Sequence, residues 1–350
     1  MGFSAVGIAD IALEREAEGF QAWIEAGHHG EMEYMARHGS KRWRPNELQP
    51  GTQSVICVAL DYSPKAAASA APSPLAGEGW GEGVAALAKT SAKNNQAYIS
   101  RYALGRDYHK VLRNKLQAFA QAINTEITPH EFRVFTDSAP VMEIPLAVKA
   151  GLGWRGKHTL LLSRERGSMF FLGEIYTSLK LAPPEPQSDH CGSCTACIDV
   201  CPTKAITGPH RLDARKCISY LTIELKTAIP VEFRKAIGNR IYGCDDCQLI
   251  CPWNKFARKA TVPDFEPRNG LDSATLVELF AWTEADFNER LQGSPIRRIG
   301  YERWLRNIAV ALGNAERTLD VAKALQSRLN YPNEMVRMHV KWAMTQENFR

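Results

Sequence analysis

The chain has 350 residues, a formal net charge of +5 and 45% hydrophobic residues. This composition is ordinary for a globular protein and excludes a largely disordered chain. The length suffices for two or three domains, and no run of roughly 18 or more apolar residues predicts a membrane span.

Helices and strands alternate along the first half of the sequence. Strands are predicted at Phe3–Ala9 and Ser54–Tyr62, and a helix is predicted from about Ile11 to Ala26. Residues 64–95 are rich in Ala, Ser, Gly and Pro, a composition that predicts a disordered surface insertion. Further on, the pattern predicts a helix at Tyr108–Ile123, a strand at Glu131–Asp137 and a second helix at Val141–Ala150. A β-hairpin is predicted from Thr159–Ser163 and Met169–Thr177.

The remaining sequence divides at two prolines. Pro183 opens a short stiff linker into a cysteine-rich region, and after Pro267 apolar residues recur at helical spacing to the end. Strands mixed with helices up to about residue 182 predict an α/β or α+β domain, followed by the cysteine-rich region and an α-helical part.

Eight of the nine cysteines lie in the middle of the sequence. They form the runs Cys191-x2-Cys194-x2-Cys197-x3-Cys201-Pro202 and Cys244-x2-Cys247-x3-Cys251-Pro252, with Cys217 between them. The first run has the spacing of bacterial ferredoxins, in which the fourth cysteine ligates the other cluster. The spacing predicts two 4Fe–4S clusters, one held by Cys191, Cys194, Cys197 and Cys251 and the other by Cys201, Cys217, Cys244 and Cys247.

Structural zinc and disulfides are the competing interpretations of these cysteines. Zinc favours separate C-x2-C pairs over four cysteines in one run that ends in Cys-Pro. Disulfides favour small secreted chains, and the sequence shows no signal peptide, so we expect a cytoplasmic protein. The ninth cysteine, Cys57, lies in an apolar run and is expected to be a buried small hydrophobic residue.

Two polar segments ahead of the cysteines carry groups suited to catalysis. Ser100–Lys110 concentrates hydrogen-bond donors, rings and charge before a helix, and Thr136–Glu143 places Asp137 at the end of a predicted strand. Ligand sites of α/β sheets gather at such strand ends. Helix capping is the alternative for Asp107, and for Asp137 or Ser138. No G-x-G-x-x-G follows a strand and no P-loop lysine is present, so the familiar nucleotide sites are unsupported.

These segments together resemble the epoxyqueuosine reductase family. The resemblance is carried by Arg101–Lys110, Asp137–Pro140, Gly151–Lys157, Cys217–Glu224, Gly243–Gln248 and Cys251–Asn254. It covers essentially the whole chain apart from residues 64–95, although family members usually begin with an additional helix. It implies an α+β protein with three parts: a nitroreductase-like α/β cobalamin domain (1–182), a ferredoxin-like two-cluster domain (183–262) and a HEAT-like α-helical segment (263–350).

The resemblance also implies a tRNA-modifying oxidoreductase that uses cobalamin and two 4Fe–4S clusters. Its members reduce epoxyqueuosine to queuosine at the wobble position of tRNAs with GUN-type anticodons, the last step of queuosine biosynthesis. By resemblance the proton donor is Asp137, whose pKa we expect to be raised by burial against a corrin. The implied cobalamin contacts are Tyr102, Asp137, Trp154, Lys157, His158, Ser219, Lys226 and Asp245.

We do not expect the cobalt to receive a histidine ligand from this chain. Cobalamin proteins that supply one often carry D-x-H-x-x-G, whereas Asp107-Tyr-His109 is followed here by Lys-Val-Leu in a predicted helix. Without a strong lower ligand Co(I) is easier to reach, which suits a reductase.

The tRNA is expected to meet the segment that runs from Ile296 to Arg306. It mixes arginines with Tyr301 and Trp304, a combination that suits phosphates and splayed bases. The alternative is a solvated helix face whose aromatic residues belong to the core. The candidate tRNA contacts are Arg297, Arg298, Arg303 and Arg306.

The expected partners are this tRNA and an external flavodoxin- or ferredoxin-like one-electron donor, and we expect a monomer without membrane association. Two other functions stay open at this point. One is a cobalamin-dependent reductase of a small molecule, similar to the reductive dehalogenases. The other is a ferredoxin-type electron-transfer protein.

Overall fold

The computed structural model describes residues 1–64, 95–185 and 187–346. The predicted insertion therefore lies outside the described residues except for its two ends. The strands are β1 (Ala5–Ala9), β2 (Ser54–Asp61), β3 (Tyr98–Ile99), β4 (Phe132–Phe135), β5 (Trp154–Arg155), β6 (Leu161–Leu162), β7 (Phe170–Thr177), β8 (Ile206–Gly208), β9 (Arg211–Leu212) and β10 (Arg240–Tyr242).

Most helices of the described residues lie in the C-terminal half. They are α1 (Glu14–Glu25), α2 (Glu33–Arg37), α3 (Pro45–Leu48), α4 (Tyr108–Glu126), α5 (Glu143–Lys149), α6 (Ala196–Val200), α7 (Val231–Ile237), α8 (Asp246–Leu249), α9 (Leu276–Ala281), α10 (Glu284–Arg290), α11 (Tyr301–Asn314), α12 (Leu319–Ser327) and α13 (Glu334–Met344). A π-helical turn at Tyr220–Glu224 follows Cys217.

A four-stranded antiparallel sheet in the order β1-β2-β7-β4 forms the N-terminal core. All eight residues of β2 are buried because helices cover both faces of the sheet. Alternate residues pack on opposite sides: Ile56 lies in the cluster with Leu112 of α4, and Val55 lies in the cluster with Leu146 of α5. Cys57 is fully buried in this sheet, as predicted.

The predicted hairpin is wrong. Leu161–Leu162 pairs with Trp154–Arg155, and Phe170–Thr177 lies between β2 and β4 in the centre of the sheet. Only the isolated bridge between Ser163 and Gly167 closes the loop where the hairpin was expected. In the sheet all eight residues of β7 pair with β2 and four of them also pair with β4, whereas the two residues of β6 could pair with only a small part of β7.

The C-terminal helices surround α11, which packs against α13 and α9. The predicted apolar faces are confirmed, since the residues chosen for them are fully buried: Leu305, Ile308, Ala309, Leu312, Val336, Val340 and Ala343. This core also takes in Ile99 of β3 and Ile241 of β10, two strands that pair in parallel. The packing therefore joins all three predicted parts, and their boundaries stay predictions. Within the described residues, no helix combines the length and apolarity that crossing a bilayer requires.

Candidate functional site

Asp137 lies in the loop between β4 and α5, two residues beyond the last residue of the strand. Its backbone has φ +49°, a left-handed conformation that few residues without a glycine's freedom adopt. Its N–H donates to Oε1 of Glu143 over 2.6 Å, and its side chain is half-exposed. The residue before α5 is Met142, without a side-chain cap, so neither Asp137 nor Ser138 is the N-cap of this helix.

Two residues that open α4 hold the Asp137 carboxylate. The hydroxyl of Tyr108 donates to Oδ2 of Asp137, and Nε2 of His109 lies 3.1 Å from the same oxygen. Asp107 caps the helix, as the alternative predicted, and its Oδ1 also lies 2.7 Å from Nδ1 of His109. The ring of Tyr108 stacks on Phe171 with centroids 4.2 Å apart. Tyr108 and His109 therefore orient the Asp137 carboxylate, and their own contacts with Phe171 and Asp107 hold them in place.

The hydrogen bonds decide the charge at this site. Desolvation alone would raise the pKa of Asp137, but hydrogen bonds from His109 and Tyr108 and the positive charges of His109 and Arg298 outweigh it and lower that pKa. Desolvation would lower the pKa of His109, yet its bonds to Asp107 and Asp137 raise that pKa to about 9. In the protein alone the pKa of Asp137 is therefore lowered and the imidazole of His109 carries the proton at neutral pH, while the rise expected from burial against a corrin stays a prediction.

A second carboxyl pair lies behind Asp137. Burial, followed by the charge of Asp137, raises the pKa of Glu143 to about 8. Glu174 of β7 is fully buried, and neither of its oxygens has a hydrogen-bond partner among the described residues. Burial and the charge of Glu143 raise the pKa of Glu174 well above its ordinary value. The two carboxyls are therefore protonated or share protons at neutral pH.

Other polar side chains approach Asp137 from distant parts of the chain. Tyr102 packs edge-on against Tyr108, with ring centroids 5.9 Å apart. Arg298 pairs with Glu224 over 2.7 Å and lies close enough to Asp137 to lower its pKa. Tyr102 and Arg298 are among the site residues predicted from the sequence, whereas the roles of Tyr108 and Glu143 were not predicted. Both missed residues lie inside the two polar segments that it singled out, and their spacing from Asp137 carries no signal of its own.

The cysteines come together in the two predicted sets of four. A cavity of about 580 Å³ is lined by the whole first set, Cys191, Cys194, Cys197 and Cys251. No three His, Cys, Asp or Glu side chains of the described residues converge on a single-ion site; the four thiols surround this larger space instead. In the second set, Cys247 lies within electrostatic range of Cys217 and Cys201, and Cys244 within range of Cys247. Four thiols around a cavity form a donor set that fits a cubane cluster.

Three predicted cobalamin contacts lie at the first cysteine set. Trp154 is buried, and its indole N–H points at Sγ of Cys191 over 3.5 Å. Lys157 donates from Nζ to the carbonyls of Gly192 and Cys194, and its neighbour His158 is buried on the same cavity. The structure does not bring these three side chains to Asp137. Instead Trp154 and Lys157 contact residues of the first cysteine loop, and His158 lines the cavity beside it.

Asp245 ties the second cysteine set to the N-terminal domain. Its carboxylate accepts hydrogen bonds from the hydroxyl of Tyr98 (2.8 Å), the hydroxyl of Ser100 and the N–H of Arg101 (2.8 Å). The neighbouring Gly243 has φ +70°, and a Cβ there would lie 2.6 Å from Cβ of Ser100. Only glycine allows this close approach. These three hydrogen bonds give Asp245 a structural role, and its predicted contact with cobalamin stays a prediction.

Ser219 and Lys226 flank the π-helical turn. The hydroxyl and N–H of Ser219 face the thiol of Cys217, where they offset part of the rise in thiol pKa that burial causes. The side chain of Lys226 is exposed, and its backbone N–H donates to Oε2 of Glu31 over 2.7 Å. Single π-helical turns occur frequently at functional sites. This turn leads from the second cysteine set to Glu224, the partner of Arg298.

The four predicted tRNA contacts divide into two pairs. Arg297 and Arg298 are exposed at the turn before α11. Arg303 is half-buried and donates to the carbonyls of Ile299, Ile223 and Arg298. Arg306 is fully buried and donates to the carbonyls of Leu225, Thr227 and Leu221. The prediction is wrong for Arg306, because its guanidinium caps backbone carbonyls inside the protein.

Comparison with known proteins identifies the family. The family model described as a 4Fe-4S double cluster binding domain matches residues 190–254, and the model described as epoxyqueuosine reductase QueG, DUF1730 matches residues 42–138. An epoxyqueuosine reductase of Pseudomonas aeruginosa is 54% identical over 345 residues, which are 98% of this chain and 91% of that protein. The chain belongs to the epoxyqueuosine reductase family.

Two further relatives of the family agree in sequence and fold. The Escherichia coli epoxyqueuosine reductase is 50% identical over 347 residues, which are 99% of this chain and 86% of that protein. A crystal structure of an epoxyqueuosine reductase with an epoxyqueuosine-modified tRNA-Tyr stem loop superposes with a TM-score of 0.85 at 28% identity, over 98% of this chain and 86% of that one. This member of the family is therefore an oxidoreductase with an α+β fold and a double-cluster iron–sulfur domain.

Proposed function

We propose that this chain reduces epoxyqueuosine to queuosine at the wobble position of tRNA, the last step of queuosine biosynthesis. The observation that carries the proposal is a hydrogen-bonded, half-exposed Asp137 in a chain of this family that also holds two four-thiol sets. Converting the epoxide to an alkene consumes two electrons and two protons and expels water. Iron–sulfur clusters deliver electrons one at a time, and a positioned side chain must protonate the departing oxygen.

The proton donor in this proposal is Asp137 acting with His109. Because the pKa of His109 is raised to about 9, its imidazolium holds a proton at neutral pH, and Nε2 lies 3.1 Å from Oδ2 of Asp137. Asp137 gives a proton to the leaving oxygen while His109 supplies one to Asp137. An alkoxide is far more basic than a carboxylate, so the lowered pKa of Asp137 does not prevent the transfer. The hydroxyl of Tyr108 holds Oδ2 of Asp137, the oxygen that receives the proton from His109, in place.

Cobalamin, which the family implies, would bind on the Asp137 side of the protein. Trp154, Lys157 and Asp245 already make hydrogen bonds elsewhere, and His158 lines the first cysteine cavity. The predicted contacts that fit are therefore Tyr102, Asp137, Ser219 and Lys226. Both ring nitrogens of His109 are bound by carboxylates, in keeping with a cobalt that receives no ligand from this residue. When bound, cobalamin supplies a low-potential cobalt centre for breaking the C–O bond.

The tRNA contacts in this proposal are Arg297 and Arg298. Arg298 is exposed and so can contact a tRNA phosphate. It also pairs with Glu224, and its positive charge helps to lower the pKa of Asp137, so it connects the tRNA surface with the proton donor. Arg297 is exposed, with one long hydrogen bond of 3.4 Å to Asn288. Arginine recognises phosphate oxygens through paired N–H groups. The epoxide would then be held near Asp137 while the backbone of the anticodon loop rests on these arginines.

The test is anaerobic conversion of tRNA that carries epoxyqueuosine. Protein reconstituted with both clusters is mixed with cobalamin, dithionite and the tRNA, and the nucleosides are weighed by mass spectrometry. We expect a cobalamin-dependent loss of one oxygen. If protein with both clusters and bound cobalamin leaves the tRNA unchanged, the result favours a reductase of a small molecule. If the protein does not bind cobalamin, the result favours an electron-transfer protein.

The tRNA contact is tested by Arg297→Glu, with Lys323→Glu on the exposed face of α12 as the matched control. Replacing one phosphate contact should weaken binding similarly for every tRNA and reduce the slope of log affinity against log salt by about 1. The control should leave both quantities unchanged. Equal affinities in the two variants would remove Arg297 from the tRNA surface.

A further inference from the structure

The first cysteine set opens to the surface through a rim of basic and aromatic side chains. The cavity that its four thiols line is also lined by Lys157, Arg164, Lys255, Trp253 and Phe256, together with two histidines. No carboxylate is among its lining residues. Asp137 and Arg298 are not among them either, so this rim is separate from the proposed tRNA side.

Aromatic rings connect the rim to a cluster ligand. Phe256 is 42% exposed, and its ring lies 6.0 Å from that of Trp253. Trp253 in turn packs edge-on against Trp154, with centroids 5.1 Å apart, and Trp154 donates to Sγ of Cys191. The exposed end of this series therefore lies three contacts from a thiol of the first set. Exposed aromatic residues are enriched at protein–protein interfaces.

The charges around the rim are mainly positive. Lys255 and Arg164 are exposed, and Nζ of Lys255 lies over the ring of Phe256. The nearby carboxylates are already engaged: Asp189 accepts the N–H of Cys191, Asp199 accepts the hydroxyl of Thr195, and Glu165 pairs with Arg166 and Arg258. The lining itself carries three cations, Lys157, Arg164 and Lys255, and no carboxylate, a charge balance that attracts an acidic partner.

We propose that this rim is the docking surface for an acidic one-electron carrier protein that reduces the first cluster. The inference rests on the proposed function, since it locates where the electrons for that reaction enter. In each encounter a flavin hydroquinone anion loses one electron and becomes the neutral semiquinone, while an oxidised 4Fe–4S cluster gains that electron; two encounters supply the two electrons. The alternative occupant of a basic, aromatic surface is RNA, but neither Asp137 nor the exposed Arg297 and Arg298 line this rim.

The experiment mixes the holoenzyme anaerobically with a bacterial flavodoxin in its hydroquinone form and follows semiquinone formation by stopped flow. The test protein carries Lys255→Glu and Arg164→Glu, and Lys323→Glu is the control. We expect the second-order rate of the double variant to fall about 10-fold or more at low salt and to lose most of its salt dependence. Iron content and dithionite-driven conversion of the tRNA should stay unchanged.

The outcomes separate this inference from the proposed function. A wild-type rate in the double variant overturns the docking surface, and a loss of tRNA affinity in that variant assigns the rim to RNA and overturns it too. Absence of dithionite-driven conversion in the unmodified protein would instead contradict the proposed function. The rate of electron transfer from flavodoxin remains measurable in that case, because the assay follows the flavin semiquinone and not the tRNA product.

Discussion

Replacing Arg306 by methionine separates a structural arginine from a tRNA-binding one. Arg306 is fully buried and donates to the carbonyls of Leu221, Leu225 and Thr227 at 2.6–2.8 Å. These carbonyls belong to the π-helical turn and the residues after it. Methionine keeps the bulk of the side chain but has no donor, so the variant leaves these three carbonyls, and Oδ1 of Asn307, without this partner.

The expected loss of stability follows from these three bonds. An unsatisfied buried acceptor costs about 1–3 kcal/mol. Burial also lowers the pKa of Arg306 to about 9, which shows that the guanidinium bears a desolvation cost that methionine removes. Taking the lower end for each carbonyl for that reason, we expect unfolding to become easier by about 3 kcal/mol. For a chain of this size that corresponds to roughly 5 °C in melting temperature.

The assay is thermal unfolding of the reconstituted protein, with tRNA affinity measured on the same samples below the transition. Arg297→Met is the matched control, because Arg297 is exposed and makes one long hydrogen bond. Arg306→Met should lose stability and keep its tRNA affinity, whereas Arg297→Met should do the reverse. A variant Arg306→Met that melts at the wild-type temperature but binds tRNA more weakly would contradict the structural role of this arginine.

Three further predictions concern the site itself. Asp137→Asn should keep its iron and lower the rate of queuosine formation by about 10²–10⁴-fold, and an unchanged rate would remove Asp137 from proton transfer. Burial raises the pKa of Glu143 from 4.5 to about 8, so between these pH values the folded protein binds a proton that the unfolded chain does not. The free energy of unfolding therefore falls over this range, and the stability that the protonated Glu143 contributes is lost as the pH rises through about 8. Glu143→Gln should therefore flatten the fall in unfolding free energy between about pH 5 and 8, measured by denaturant titration; the same slope in both proteins would contradict the assignment. Asp245→Ala should leave the hydroxyls of Tyr98 and Ser100 without their acceptor and speed the loss of iron to a chelator. The control is Asp199→Ala at an exposed position, and equal rates of iron loss in the two variants would rule out the anchoring role.

The sequence predicted the elements whose pattern is local. The buried strand Ser54–Asp61, the helix Tyr108–Glu126 and both cysteine sets were found because apolar period and cysteine spacing report directly on them. The hairpin failed because strand partners are chosen across the whole sheet: β7 pairs with β2, more than 100 residues earlier in the chain. Periodicity finds a strand but does not name its neighbours.

The arginines of α11 show a second limit. The helix shows an apolar face at Leu305, Ile308, Ala309 and Leu312, which implies that Arg306 faces solvent. In the fold this helix is covered on every side, so Arg306 and Asn307 are buried as well. Their partners are backbone carbonyls some 80 positions earlier in the chain. Such contacts leave no trace in the local pattern, and neither does the hydrogen bond from Asp137 to Glu143.

The position of Asp245 links the second cysteine set to the helix that carries Tyr108 and His109. Cys244 and Asp245 are consecutive, so the segment that supplies a predicted cluster ligand also fixes Tyr98, Ser100 and Arg101. That segment continues directly into Tyr102 and the start of α4, which carries Tyr108 and His109. We therefore expect removal of iron from the second set to loosen the segment Tyr98–Arg101 and, through it, the start of the helix that holds Asp137.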